Sequence, residues 1–315
     1  MNQNIRTDLA VEEKESFPGD GGEISGVSLE EWTSPDTGIR MSKVKILNDQ
    51  GAKNMRKPIG TYLTMEAGNL AYKDEDFHQE VADALADQLQ LIFDEVWKGD
   101  EDRKHIHVLA VGLGNRSVTP DSLGPRVVGN LEINRHRERK GEVTLSGIVP
   151  GVMAQTGMES AEILRGIIKE THPDALLVVD ALAARSLHRL GTTIQLTDTG
   201  IHPGSGVGNH RCGLTKQSLG IPVVAVGVPT VVGAAAIVHD TVSALTKTLS
   251  NAEKTKSLGK YMEDLNSEEQ YHLIQEVLEP EFGSCYVTPP DIDETVQMLS
   301  FTISEGIHRM LEHMI

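Results

Sequence analysis

Two apolar stretches of this chain end in polar residues, and these endings constrain the fold more than any other feature of the sequence. Residues 108–111 are apolar and run into a glycine-rich turn and a loop that carries Asp121. Residues 175–179 are also apolar, and Asp180 follows them directly. Uninterrupted apolar strands with helical segments between them are typical of a parallel sheet that is covered on both faces. Binding sites in such sheets lie beyond the carboxyl ends of the strands, so we expect Asp121 and Asp180 to face each other there.

The rest of the chain favours an α/β fold. Apolar residues at helical spacing predict long helices over residues 76–97, 160–170, 236–249 and 292–310. Extended segments are predicted at residues 40–47, 57–66, 106–111, 174–180, 193–198 and 221–228. Residues 24–36 have little periodicity, and residues 254–270 are polar enough for an exposed insertion. The alternation predicts a three-layer α/β domain over residues 27–315, with a mostly parallel central sheet flanked by helices and an N-terminal extension, residues 1–26.

Composition narrows the classes of function. The net charge of −17 argues against a nucleic-acid-binding protein. The two cysteines, Cys212 and Cys285, lack metal-ligand spacing, which fits a reducing cytoplasm. The chain has no apolar run of about 18 residues or more and no signal peptide at its start. We therefore expect a soluble cytoplasmic protein that contacts neither nucleic acid nor membrane directly.

Asp121 and Asp180 are the candidate catalytic pair. Two carboxylates held close together cannot both ionise easily, so the pKa of one rises and the pair shares a proton. The charged member can then activate a water molecule while the neutral member supplies a proton, a combination that suits peptide hydrolysis. The structural alternative is that Asp180 caps a helix and Asp121 is only a turn residue.

Peptide hydrolysis also requires hydrogen-bond donors for the oxyanion of the tetrahedral intermediate. The glycine-rich segments at residues 112–115 and 204–208 can supply backbone N–H groups. The candidates for substrate binding or an oxyanion loop are Gly114, Asn115, Asp198, His202, Gly204 and Ser205.

Other motifs fit less well. Residues 36–38 and 198–200 both spell Asp-Thr-Gly, the tripeptide of pepsin-like proteases, but that fold is almost all β-structure and this chain alternates strand and helix. Gly112 and Gly114 suggest a dinucleotide-binding turn, but the third glycine is absent and Asp121 would repel a pyrophosphate. Residues 203–206 resemble a serine nucleophile elbow only loosely.

Two alternatives stay open from the residues alone. In the first, Asp121 and Asp180 bind a metal ion together with His202 or His210, as in a metal-dependent maturation protease. In the second, the fold is a non-catalytic chaperone or binding module. The main hypothesis includes neither a metal nor a cofactor.

Six segments resemble the germination protease family of spore-forming bacteria. They are Ile-Arg-Thr-Asp-Leu-Ala at residues 5–10, Val-Gly-Leu-Gly-Asn-Arg-Ser-Val-Thr-Pro-Asp-Ser-Leu-Gly-Pro at 111–125, Pro-Gly-Val-Met-Ala-Gln-Thr-Gly at 150–157, Val-Asp-Ala-Leu-Ala-Ala-Arg at 179–185, Asp-Thr-Gly-Ile-His-Pro-Gly-Ser-Gly-Val-Gly-Asn at 198–209 and Val-Thr-Pro at 287–289. They span nearly the whole chain in order. The chain is also distantly similar to the hydrogenase maturation proteases, whose sheet is phosphorylase-like.

The resemblance implies an endopeptidase that degrades small acid-soluble spore proteins during germination, in the developing forespore and the spore core. It implies an unusual aspartic-type protease, whose two catalytic aspartates match Asp121 and Asp180. It also implies a homotetramer, made as a zymogen that loses an N-terminal propeptide by autoprocessing. Only residues 1–4 precede the Ile-Arg-Thr-Asp motif, so we expect either a very short propeptide within the arm or a different processing site.

Overall fold

A computed structural model describes residues 7–15, 24–72, 74–97, 106–137, 143–205, 211–251 and 267–314. The strands are β1 (Val27–Thr33), β2 (Arg40–Ile46), β3 (Gly60–Glu66), β4 (His107–Gly112), β5 (Thr144–Ile148), β6 (Ala175–Ala184), β7 (Thr193–Thr197), β8 (Val223–Gly233) and β9 (Tyr286–Val287). The α-helices are α1 (Ala10–Glu15), α2 (Asp49–Met55), α3 (Glu75–Val96), α4 (Leu123–Asn130), α5 (Met153–Thr156), α6 (Ser160–Thr171), α7 (Lys216–Leu219), α8 (Ala234–Asn251), α9 (Ser267–Phe282) and α10 (Ile292–His313).

The nine strands form one sheet that is mixed, so the prediction of a mostly parallel sheet was wrong. The strand order is β1-β2-β3-β7-β8-β6-β4-β5, and β9 pairs with β8. The neighbours β8-β6-β4-β5 are parallel, whereas every other pairing is antiparallel. Connection length accounts for the antiparallel pair β1-β2, because residues 34–39 are too few for the crossover of a dozen or more residues that parallel strands require.

Helices cover both faces of the parallel part, as expected for an α/β fold. Val108 and Ala110 of β4 belong to the core that includes α3 and α10, whereas Leu109 and Val111 belong to a second core with α6. Successive side chains of a strand point to opposite faces, so an uninterrupted apolar strand fills both cores. Full burial of one such side chain contributes roughly 1.5–3 kcal/mol.

The N-terminal residues 7–15 pack against the end of β6. The Ala10 N–H donates to Gln195 Oε1 at 2.7 Å. Glu12 is only 3% exposed, and its carboxylate accepts hydrogen bonds from the backbone N–H groups of Arg185 (2.8 Å) and Ser186 (2.9 Å). This part of the predicted arm is therefore held at the carboxyl end of β6, the strand that carries Asp180. The division of the chain at residue 26 stays a prediction.

Most predicted helices and strands are present with small shifts at their ends. Asp74 caps α3 by accepting a hydrogen bond from the Phe77 N–H at 3.0 Å. The strands β1, β5 and β9 and the helix α9 were missed, as were the short helices α1, α2, α5 and α7. Residues 254–266 of the predicted insertion fall outside the described residues, and residues 267–270 belong to α9. Within the part of the chain that the structure describes, no helix is long and apolar enough to span a bilayer.

Candidate active site

Asp180 lies within β6, the central strand of the parallel part of the sheet. β6 pairs with β4 on one side and β8 on the other, and Asp180 is only 7% exposed. Its Oδ1 accepts a hydrogen bond from the backbone N–H of the next residue, Ala181, at 2.9 Å. The carboxyl group is therefore held by the strand itself, at the point where the sheet opens into loops.

Asp121 ends a short 3-10 helix, Thr119–Asp121, in the loop after β4. The Asn115 N–H donates to Asp121 Oδ2 at 2.9 Å and to the Asp121 carbonyl oxygen at 3.0 Å. Gly114 has φ +112°, and a Cβ atom there would lie 2.0 Å from that carbonyl oxygen. Because only glycine permits this conformation and this approach, the Gly-x-Gly-Asn turn holds Asp121 in place.

Two more glycines bring this loop against β6. A Cβ atom at Gly124 would lie 2.4 Å from the carbonyl oxygen of Val179, the residue before Asp180. A Cβ atom at Gly112 would lie 2.3 Å from the Gly124 carbonyl oxygen. The Leu113 N–H also donates to the Val179 carbonyl oxygen at 2.9 Å. Backbone contacts without side chains therefore carry the Asp121 loop to the strand of Asp180.

Burial raises the pKa of both carboxyl groups. For Asp180 the rise is large, with burial as the main cause and the charges of Asp121 and Asp8 adding to it. For Asp121 burial again raises the pKa, while the Asn115 hydrogen bond and the positive charge of Arg211 oppose the rise. The effect of the Asp121 charge on the pKa of Asp180 indicates that the two carboxyl groups lie near each other in a partly dehydrated site.

A cavity of about 380 Å³ lies in front of the two aspartates. Its walls are largely apolar and come from four loops and the ends of β6 and β8; among them are Leu113, Val118, Val152, Leu182, Val231 and Tyr286. A second cavity of about 310 Å³ also reaches Asp180 and continues toward Tyr62, Gln195 and His202. Asp8, Asp180, Leu182 and Gly204 line both cavities, so the two spaces adjoin along this row.

Asp8 is a third carboxylate of this region, and the sequence analysis gave it no role. The backbone N–H of Asp8 donates to the Ala183 carbonyl oxygen at 3.0 Å, and the Ala183 N–H donates to Asp8 Oδ2 at 2.9 Å. Ser205 Oγ donates to Asp8 Oδ1 at 2.7 Å, and Lys57 Nζ donates to the Asp8 carbonyl oxygen at 2.9 Å. The only sequence signal for it was the motif at residues 5–10.

Arg211 is the second residue that the sequence analysis missed. It lines the first cavity together with Asp121 and Asp180. Its positive charge opposes part of the rise in pKa that burial causes in both carboxyl groups. Arg211 lies three residues after the glycine-rich segment at residues 204–208, which is the one signal in the sequence that pointed toward it.

The predicted loop residues divide between several positions. Gly114 lines the first cavity, whereas the Asn115 N–H is already bonded to Asp121. Gly204 lines both cavities, and Ser205 lines the second and contacts Asp8. The use of Asn115 to hold Asp121 removes its N–H from the possible oxyanion donors.

Asp198 and His202 lie farther from the pair. Asp198 Oδ1 accepts a hydrogen bond from the Thr61 N–H at 2.8 Å, and Asp198 lines neither cavity. His202 lines the second cavity but not the first, so it is not grouped with Asp121. His210, the other histidine of the metal hypothesis, lies outside the described residues. Within the described parts of the chain, no three His, Cys, Asp or Glu side chains are grouped as metal ligands.

Comparison with known proteins identifies the family. The sequence model of the germination protease family matches residues 5–260. A germination protease of Caldanaerobacter subterraneus subsp. tengcongensis is 45% identical over 98% of this chain and 94% of its own length. Germination proteases of Clostridium tetani and Priestia megaterium are 40% and 36% identical, each over 98% of this chain and over 96% and 94% of their own lengths. Because this chain matches the family model over most of its length and is 36–45% identical to these relatives over 98% of its own length, it belongs to the germination protease family.

Proposed function

We propose that this protein is an endopeptidase of the aspartic type, in which Asp121 and Asp180 activate water against a peptide bond. The observation that carries the proposal is the pair itself: two carboxyl groups with raised pKa values line one cavity. Asp180 is the more deeply buried, so it holds the shared proton and Asp121 carries the charge.

The reaction follows from that assignment. Asp121 accepts a proton from water as the water oxygen attacks the carbonyl carbon of the peptide. Asp180 then donates its proton to the leaving nitrogen when the carbon–nitrogen bond breaks. The pair ends with one proton, now on Asp121, and transfer of that proton to Asp180 restores the starting state. The glycine contacts around Asp121 serve this chemistry because they hold the base in place.

The substrates we propose are small acid-soluble spore proteins, degraded during germination in the spore core after synthesis of the enzyme in the forespore. Family membership supports this, since the relatives are germination proteases. The two adjoining cavities also suit an extended chain, with residues on either side of the cleaved bond entering different cavities.

We further propose that the protein is a zymogen and that its N-terminal segment obstructs the site. Asp8 lines both cavities and is tied to Ala183 and Ser205, so a substrate cannot follow the same path while Asp8 is in place. Autoprocessing next to Asp8 opens the cleft. The assembled form is a homotetramer, which sedimentation equilibrium tests directly.

Digestion of a purified small acid-soluble spore protein tests the proposal. Protein with its N-terminus determined by mass spectrometry is incubated with the substrate, with and without a chelator, and the new N-termini are read. We expect a few specific cleavages that the chelator does not affect. Cleavage abolished by the chelator would favour the metal-dependent alternative, and stoichiometric binding without new N-termini from processed protein would favour a binding module.

A further inference from the structure

The oxyanion position of this site has no assigned donor. The Asn115 N–H, one of the predicted donors, bonds to Asp121, and the Ala181 N–H bonds to Asp180. The other polar side chains of the cavity include three carboxylates, which repel a developing negative charge. A peptidase that forms a tetrahedral intermediate requires a positive group or an N–H group at this position.

Arg211 meets that requirement. It is the only cationic side chain among the described residues that line the first cavity. Within the described parts of the chain it has no hydrogen bond or ion pair of its own, although Asp8, Asp121 and Asp180 line the same space. Arg189 differs, because it pairs with both Glu15 and Glu66 at 2.7 Å. A half-buried guanidinium beside three carboxylates but bonded to none of them is available for a ligand.

We propose that Arg211 is a catalytic residue that binds the carbonyl oxygen of the cleaved peptide bond and the oxyanion formed from it. This inference rests on the proposed peptidase activity. When water attacks, the carbonyl π electrons move to oxygen and the Arg211 guanidinium pairs with the charge; when the carbon–nitrogen bond breaks, the electrons return to re-form the carbonyl. A planar guanidinium with several N–H donors suits this oxygen better than an ammonium does.

A second effect follows from the same position. Burial raises the pKa of Asp121 and of Asp180, and the positive charge of Arg211 opposes part of that rise. Among the described residues, the other charged groups that line this cavity with the pair are Asp8 and Arg211. Removal of Arg211 therefore shifts the acid limb of the pH profile to higher pH, because Asp121 must ionise before it can accept a proton. A residue that only supports the loop would change the rate without moving this limb.

The test compares Arg211→Gln and Arg211→Lys with the control Arg116→Gln in the processed enzyme. Arg116 is exposed and does not line this cavity. We expect kcat to fall by about 10²–10³-fold in Arg211→Gln, the loss typical of one oxyanion donor. We expect KM to change by less than about threefold, the acid limb to move to higher pH, and Arg211→Lys to recover part of kcat. Melting temperatures of all variants report whether they fold. If Arg211→Gln does not fold, the comparison of Arg211→Lys with the wild type tests the proposal instead.

The outcomes separate the two proposals. If the wild type cleaves the substrate and folded Arg211→Gln protein has the same kcat and pH profile, the role of Arg211 is overturned and the aspartate mechanism stays intact. A rise in KM with kcat unchanged would also overturn it, because Arg211 would then bind a substrate side chain. Wild-type protein with a processed N-terminus that cleaves nothing would overturn the proposed function, and the role of Arg211 with it.

Discussion

Asp180 and Asp198 have much in common, yet only one of them belongs to a site. Asp180 lies within a buried strand and Asp198 directly follows one, and burial raises the pKa of both carboxyl groups. Asp198 is bonded to the Thr61 N–H and lines neither cavity, whereas Asp180 lines both and has a second carboxylate nearby. The comparison indicates that a raised pKa alone identifies only a buried acid, and that the adjoining cavity and the nearby carboxylate are what make Asp180 the candidate for catalysis.

The largest expected effect comes from the exchange of each aspartate for asparagine. Asp180→Asn and Asp121→Asn each remove a proton carrier of the reaction, so we expect cleavage to fall by about 10²–10⁴-fold, the usual contribution of a general acid or base. Asp198→Asn keeps an oxygen for the Thr61 N–H, and we expect activity within about threefold of wild type. Initial rates on one spore-protein substrate measure all three. An inactive but folded Asp198→Asn protein would remove the distinction between the two aspartates.

An effect of intermediate size is expected from two glycines, Gly114 beside Asp121 and Gly200 near Asp198. Gly114 and Gly200 have φ values of +112° and +79°, and a Cβ atom on either would lie 2.0 Å from a carbonyl oxygen, that of Asp121 or of Leu214. Alanine at either position should destabilise the fold by about 1–3 kcal/mol. Only Gly114→Ala displaces the catalytic base, and we expect about a 10²-fold loss of kcat from the folded protein. Denaturant unfolding and single-turnover cleavage separate the two effects, and equal kcat losses at both positions would contradict the account.

The smallest expected effect is on stability. A carboxyl group whose pKa is raised by folding stabilises the protein while it is protonated, and this stabilisation is lost as the pH rises from the ordinary value of 3.8 through the folded-state pKa. Asp180→Asn cannot ionise, so at neutral pH it should melt higher than wild type, by roughly 2–4 °C. Near pH 3 the two should melt together. Asp198→Asn, with a smaller rise in pKa, should gain less, and a lower melting temperature of Asp180→Asn at neutral pH would argue against a buried, repelled carboxylate.

Three of the four parallel strands, β4, β6 and β8, were predictable from sequence because their signal is local, whereas β5 was missed. The runs at residues 108–111 and 175–179 are apolar throughout, and that pattern arises from burial on both faces. The antiparallel half was harder, because β1 is an edge strand with most of its residues exposed and shows no clear alternation. Its pairing with β2 depends on the tertiary structure and could not be predicted from the residues of β1 alone.

The placement of Asp121 and Asp180 at one cavity was predictable for the same reason, since Asp180 follows the apolar run at residues 175–179 and Asp121 lies in the loop after β4. The positions of Asp8 and Arg211 at this cavity were not predictable from the sequence. Each takes part through contacts with residues far away in the chain, Asp8 with Ala183 and Lys57, and Arg211 with the cavity of Asp121 and Asp180. Asn115 shows the opposite error: its place in a glycine-rich turn suggested an oxyanion donor, but its N–H holds Asp121.

The closeness of the two carboxyl groups is the central claim, and carbon NMR of protein labelled at the aspartate carboxyl carbons tests it without any substrate. In wild-type protein the Asp180 resonance should titrate well above pH 3.8, because of burial and the charge of Asp121. In Asp121→Asn protein the Asp180 midpoint should fall, since one repelling charge is gone. An Asp180 midpoint that does not move when Asp121 is replaced would show that the two groups do not interact, and the shared-proton mechanism would be wrong.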